Sequence, residues 1–156
     1  MLKKYLTEEQ IAELKYFDRL DSFKKELEKI SLDDSNSVVI GFGILNALGI
    51  RESRDIDVVV ESEKFYQLLE EETLSGFVNE TGSFLLTNGV VEISDGWHIE
   101  KLGIDLSFEK LKPQSTVIDG VRYTDIELVL EIKRLWAREK DIKDVSLIEN
   151  FLEKSR

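Results

Sequence analysis

Two aspartates one residue apart, Asp55 and Asp57, are the first residues in this chain whose types and spacing suggest chemistry. They stand directly before three valines, in the run Asp55-Ile56-Asp57-Val58-Val59-Val60, which reads as a buried strand. Successive strand side chains alternate faces, so the two carboxylates share a face about 6.5 Å apart along the backbone while Ile56 turns into the opposite layer. Side by side at the mouth of a buried strand, they repel each other and lose solvation unless a cation or hydrogen-bond donors compensate. The pair is therefore a candidate site for divalent cations. With 32 acidic residues in 156, an Asp-x-Asp often arises by chance, and only its context singles this one out.

That context is ordered. An apolar run, Val38-Val39-Ile40, stops at Gly41-Phe42-Gly43, a short apolar segment continues to Gly49, and a turn holding Arg51 leads into Asp55. The reading is strand, glycine turn, short helix, turn, strand. A third acid, Asp105, lies between Ile104 and Leu106 in another stretch with strand character. It belongs either to an exposed sheet face or to a set of three carboxylates converging on one point. His98, the single histidine, adjoins Trp97 and could touch a substrate ring, but with no partner legible in sequence it reads as structural.

The elements that must position these residues follow from periodicity and capping. Thr7-Glu8-Glu9-Gln10 is a capping-box pattern opening a helix to about Ile30, with Leu20, Phe23, Leu27 and Ile30 as its buried stripe. Ser62 can cap a helix through Phe65, Leu68 and Leu69. Asn88-Gly89 between two apolar runs predicts a hairpin, followed by a turn at Asp95-Gly96-Trp97-His98, and Asp119-Gly120 predicts a second hairpin. Thr124-Asp125-Ile126-Glu127 reads as another capping box, opening a helix with Leu128, Ile132, Leu135 and Trp136 on one face; a last helix turns Val145, Ile148, Phe151 and Leu152 inward. The order predicts one α+β domain over 1–156, with a mixed sheet covered on one side by helices, a core of about 38–110 and C-terminal helices over about 124–154.

Composition narrows the partners. The absence of cysteine excludes disulfides, thiolate metal sites and a cysteine nucleophile, and one histidine is too few for a multi-histidine zinc site. A metal here would rest on oxygen ligands, which suits Mg²⁺ or Mn²⁺. A formal charge of -11 disfavours broad contact with nucleic-acid phosphates and suits a cationic or neutral small substrate, or a basic protein partner. No apolar run reaches the roughly 18 residues of a membrane span, and the N-terminus lacks the pattern of a signal peptide, so a cytoplasmic protein is expected.

Taken together, the strand, glycine turn, short helix and Asp-x-Asp, with a lone Asp on a later strand, resemble the nucleotidyltransferase superfamily that shares the polymerase-β catalytic fold. The likeness is to its small bacterial stand-alone and antibiotic-modifying members, and it spans about residues 38 to 145. The Arg-Glu-Lys-Asp-x-x-Asp run of 138 to 144 is similar to the helical ending of those proteins.

The resemblance implies a Mg²⁺-dependent transfer of a nucleoside monophosphate from a nucleoside triphosphate to a hydroxyl of a small molecule or a protein. Asp55 and Asp57 would hold two ions, roughly 3.5 to 4 Å apart in such sites, and Asp105 would share the catalytic one and help draw the acceptor proton. Gly41 and Gly43 would let backbone amides approach the triphosphate, with Phe42 where the family usually has serine or glycine. Arg51, in the preceding turn, is a candidate for phosphate contact, and Lys133 is the first choice among Lys133, Arg134, Arg138 and Lys140. Phe42 cannot donate a hydrogen bond, so the alternative implied is a non-catalytic, antitoxin-like binding protein with a degraded glycine motif. The sequence leaves a homodimer open.

Overall fold

The computed structural model describes residues 17–41, 43–53 and 55–155. The capping box at Thr7 and the phenylalanine at 42 lie outside the described residues. Six α-helices and nine strands are formed among those described: α1 (Phe17–Glu28), β1 (Ser37–Ile40), α2 (Gly43–Ala47), β2 (Ile56–Val60), α3 (Ser62–Glu71), β3 (Ser75–Val78), β4 (Phe84–Thr87), β5 (Val91–Ser94), β6 (Gly96–Ile99), β7 (Ile104–Ser107), α4 (Phe108–Leu111), β8 (Ser115–Ile118), β9 (Val121–Thr124), α5 (Ile126–Trp136) and α6 (Glu139–Lys154).

Seven strands make one mixed sheet in the order β3-β4-β5-β2-β1-β9-β8, and β6 pairs with β7 in a separate two-stranded sheet. The two valine-rich strands sit near the centre. β2 runs antiparallel to β1 and parallel to β5, while β1 runs parallel to β9. Strands buried on both faces carry near-continuous apolar runs, which is why β1 and β2 lack a clean alternation.

Their side chains divide between two apolar layers. Val39, Ile56, Val58 and Val60 join the main core with Phe23 and Leu27 of α1, Ile44 and Leu45 of α2, Phe65 and Leu68 of α3, Val129 of α5 and Ile148 of α6. Val38, Ile40 and Val59 face the other way, into a smaller cluster with Phe108 and Leu111 of α4, against which Trp97 of β6 and Leu106 of β7 pack. The sheet thus has its helices mainly on one face and the β6–β7 hairpin with α4 over part of the other. By alternation Asp57 shares the face of Val59, the side of that hairpin.

Several local expectations change. Gly96–Ile99 is a strand rather than a turn, because its backbone finds a partner in β7. Thr124 does not cap α5: the helix starts at Ile126, and the Thr124 hydroxyl donates to the Val39 carbonyl at 3.4 Å, across the β9–β1 pairing. Ser62 lies inside α3, whose N-cap is Glu61. On α5 the buried side chains are Ile126, Val129, Leu130, Ile132 and Lys133, while Leu135 is exposed. Both hairpin turns form as expected, with positive φ at Gly89 and at Asp119 and Gly120, as tight hairpins require.

Candidate active site

The parallel pairing of β2 with β5 sets Asp57 directly beside Glu92. On β5, Val91 and Ile93 enter the main core, so Glu92 alternates to the face that Asp57 occupies. Burial pushes the Asp57 carboxyl up to about 7; a hydrogen bond with Glu92, the charge of Glu92 and the charge of Asp55 push in the same direction. Asp55 itself precedes the strand and is exposed. The three acids line one cavity of about 290 Å³, together with Gly41 of the glycine turn and Trp97, His98, Lys133, Trp136, Arg138 and Lys140. A second hollow adjoins it, sharing Glu80, Thr81, Ile99, Trp136 and Arg138.

Gly41 and Gly43 serve different ends. Gly41 has φ +67°, a left-handed conformation, and a methyl group there would sit 3.6 Å from Asp57 Oδ2. Gly43 is a packing glycine, since a Cβ would lie 2.2 Å from Val39 Cγ1 and 3.5 Å from Tyr123 Cδ1. Of the two, Gly41 lines the cavity.

Asp105 is not among the residues that line this cavity. It lies on β7 opposite His98, its side chain 76% exposed, and it accepts a hydrogen bond from His98 Nδ1 at 2.6 Å. Because Leu106 packs toward the main sheet, alternation turns Asp105 the other way. His98 in turn finds the partners that its sequence neighbourhood hid, Asp105 and, at 3.3 Å from Nε2, Asp95. Glu92 is the acid that sequence reasoning missed. Its only signal was an acidic residue within an apolar strand, the same signal that drew attention to Asp105.

The two cations also have settled partners. Arg51 contacts Asp144 through Nε at 2.8 Å and Nη2 at 3.0 Å. Lys133 is buried, with Nζ 3.0 Å from Asp144 and 3.4 Å from Asp141, and it still forms part of the cavity wall. Burial lowers its pKa, against the pull of Asp144 and Asp141. Arg138 donates to Asp141 at 2.6 Å and lies 3.3 Å from the centre of the Trp136 ring.

The donor chemistry suits a hard divalent cation. Two half-buried carboxylates side by side, one held toward its protonated form by burial and then by its neighbour, would be relieved by a cation bound to oxygen ligands. Among the described residues no group of three or more His, Asp or Glu is gathered closely enough to hold a metal. The fit therefore rests on Asp57 and Glu92, with Asp55 at the rim.

A mixed sheet with helices packed on the strand–turn–helix–strand unit, and acids beside the glycine turn, is a nucleotidyltransferase-like fold. Among solved structures the chain is similar to the antibiotic-resistance factor ANT(2″)-Ia, an aminoglycoside nucleotidyltransferase, with a TM-score of 0.50 and 17% identity over 88% of this chain and 86% of that one. No family model and no curated protein matches the sequence. Among the described residues no helix is long and apolar enough to cross a membrane.

Proposed function

We propose that this chain is a nucleotidyltransferase that uses Mg²⁺ or Mn²⁺ to move a nucleoside monophosphate from a nucleoside triphosphate to a hydroxyl of a small molecule or a protein. The observation that carries the reading is the Asp57–Glu92 pair, with the Asp57 carboxyl shifted toward protonation, placed with Asp55 and Gly41 in one cavity of the fold. Asp57 and Glu92 would hold the cation, with Asp55 at the rim of the site, Glu92 taking the part expected of Asp105. When bound, the cation supplies charge neutralisation for a phosphoryl centre and its leaving group.

The protein's own residues do the rest. Gly41, with no side chain, keeps the space beside Asp57 open for a phosphate to approach. Lys133, with Arg138 and Lys140 in the same cavity lining, supplies positive charge to the site. Trp97 offers a flat apolar face for a base or an acceptor ring, while Arg138 already covers one face of Trp136. The adjoining hollow at Trp136 and Arg138 gives the acceptor a way in.

The test is to follow thermal unfolding with Mg²⁺ and each of ATP, GTP, CTP and UTP, then to look for pyrophosphate release with candidate acceptors. A ligand at 100 times its dissociation constant adds about 2.7 kcal/mol of stability, well within detection. No response to any nucleotide with metal would overturn the proposal. Binding without pyrophosphate release across acceptors would favour a non-catalytic, antitoxin-like role, a reading supported by the engagement of Arg51 and Lys133 with Asp144.

A further inference from the structure

Behind the cavity wall, three cations and two carboxylates form one continuous network. Asp144 is 3% exposed and sits on α6. One of its oxygens, Oδ1, faces Arg51 Nε at 2.8 Å; the other, Oδ2, takes both Arg51 Nη2 at 3.0 Å and Lys133 Nζ at 3.0 Å. Asp141, one turn earlier and fully buried, takes Arg138 and the same Lys133. Lys133 belongs to the cavity wall, whereas Arg51 lies in the turn that delivers the chain to Asp55 and Asp57. That turn is held at two more points. Ser53 N donates to Asn46 Oδ1 at 3.3 Å, and the Ser53 hydroxyl donates to the Asp55 carbonyl at 3.2 Å.

A single buried carboxylate thus ties the approach to the acidic strand to a cation of the cavity lining. A buried ion network is a poor way to gain stability alone, because the desolvation of its charges offsets most of their attraction. It does fix geometry. It also keeps charge in place, since burial drives Lys133 toward its neutral form and Asp144 is the strongest group opposing that.

We infer that Asp144 is a positioning residue for phosphate binding: by holding Arg51 and Lys133 on one carboxylate, it sets the Lys133 ammonium and the Asp55–Asp57 strand in the register that a metal–triphosphate requires. The inference rests on the transfer reading above, in which Lys133 meets the triphosphate. Asp144 touches no ligand and acts through its two cations.

A double-mutant cycle on the full chain tests it. Binding of Mg–ATP, Mg–GTP, Mg–CTP and Mg–UTP is measured by calorimetry for wild type, Asp144→Asn, Lys133→Gln and the double variant, with thermal unfolding to show that each is folded. Each single change is expected to weaken binding of the preferred triphosphate by about tenfold or more, and the double variant by clearly less than the product of the two single losses, because residues acting as a unit are non-additive. Losses that multiply, or an Asp144→Asn variant that is folded and binds as wild type does, would overturn the inference. Should Asp144→Asn fail to fold, Arg51→Gln removes the other arm at a partly exposed position. It is expected to weaken triphosphate binding, and a change confined to the melting temperature would overturn the inference equally. A wild-type chain that binds no triphosphate would instead remove the transfer reading itself, and this inference with it.

Discussion

Burial favours the neutral acid of Asp57, and the hydrogen bond with Glu92 and the charges of Glu92 and Asp55 push the same way. The folded pKa of Asp57, about 7, lies above its ordinary value of 3.8. Between those values the folded chain keeps a proton that the unfolded chain has released, so stability of the metal-free protein declines as pH rises through that window and levels off above it. Thermal melts from pH 4 to 8 in EDTA check this, and Asp57→Asn should flatten the decline. The same substitution should abolish stabilisation by Mg²⁺ while leaving the metal-free protein as stable as wild type or more so, because a repelling charge is gone. Asp105→Asn offers the contrast. With its carboxylate exposed and paired to His98, it should leave the Mg²⁺ response intact. Loss of that response would return Asp105 to the site.

Among the elements, the strand–turn–helix unit from Val38 to Val60 was legible because its signals are local: a valine run, a glycine turn and a second valine run. Both hairpins were legible for the same reason, since Asn88-Gly89 and Asp119-Gly120 specify their turns within two residues. The cap at Thr124 was misread because a strand across the sheet offered its hydroxyl the Val39 carbonyl. β3, Ser75–Val78, carried no alternating apolar pattern and went unrecognised; most of its residues are exposed. Gly43 belongs to this scale, as its lack of a side chain lets α2 close onto Val39 and Tyr123. Gly43→Ala should cost about 1–3 kcal/mol by overpacking, read as a lower denaturant midpoint at unchanged slope. An unchanged midpoint would mean that α2 shifts freely, and that the glycine turn is less rigid than its packing implies.

The whole molecule adds its field to the local one. At a formal charge of -11 the folded chain repels itself, and added NaCl should raise the melting temperature by screening, in wild type and Asp57→Asn alike. Mg²⁺ at the same ionic strength should add a further rise in wild type alone, and chelation should reverse it. Equal responses to the two salts would reduce the acids to an ordinary charged surface. The network joining α6 and α5 to the turn before β2 is also a property of the whole, since Arg51 and Asp144 lie far apart in sequence.

Read alone, the residues determined the α+β class, the placement of Asp55 and Asp57 at the lead-in to a buried strand, and the likeness to nucleotidyltransferases, because strand period and turn chemistry act over a few residues. Which acid stands beside Asp57 was decided by tertiary structure. An acid alternating with apolar residues looks the same on β5 as on β7, and only the parallel pairing of β2 with β5, across a long crossover, put Glu92 next to Asp57 and left Asp105 to His98.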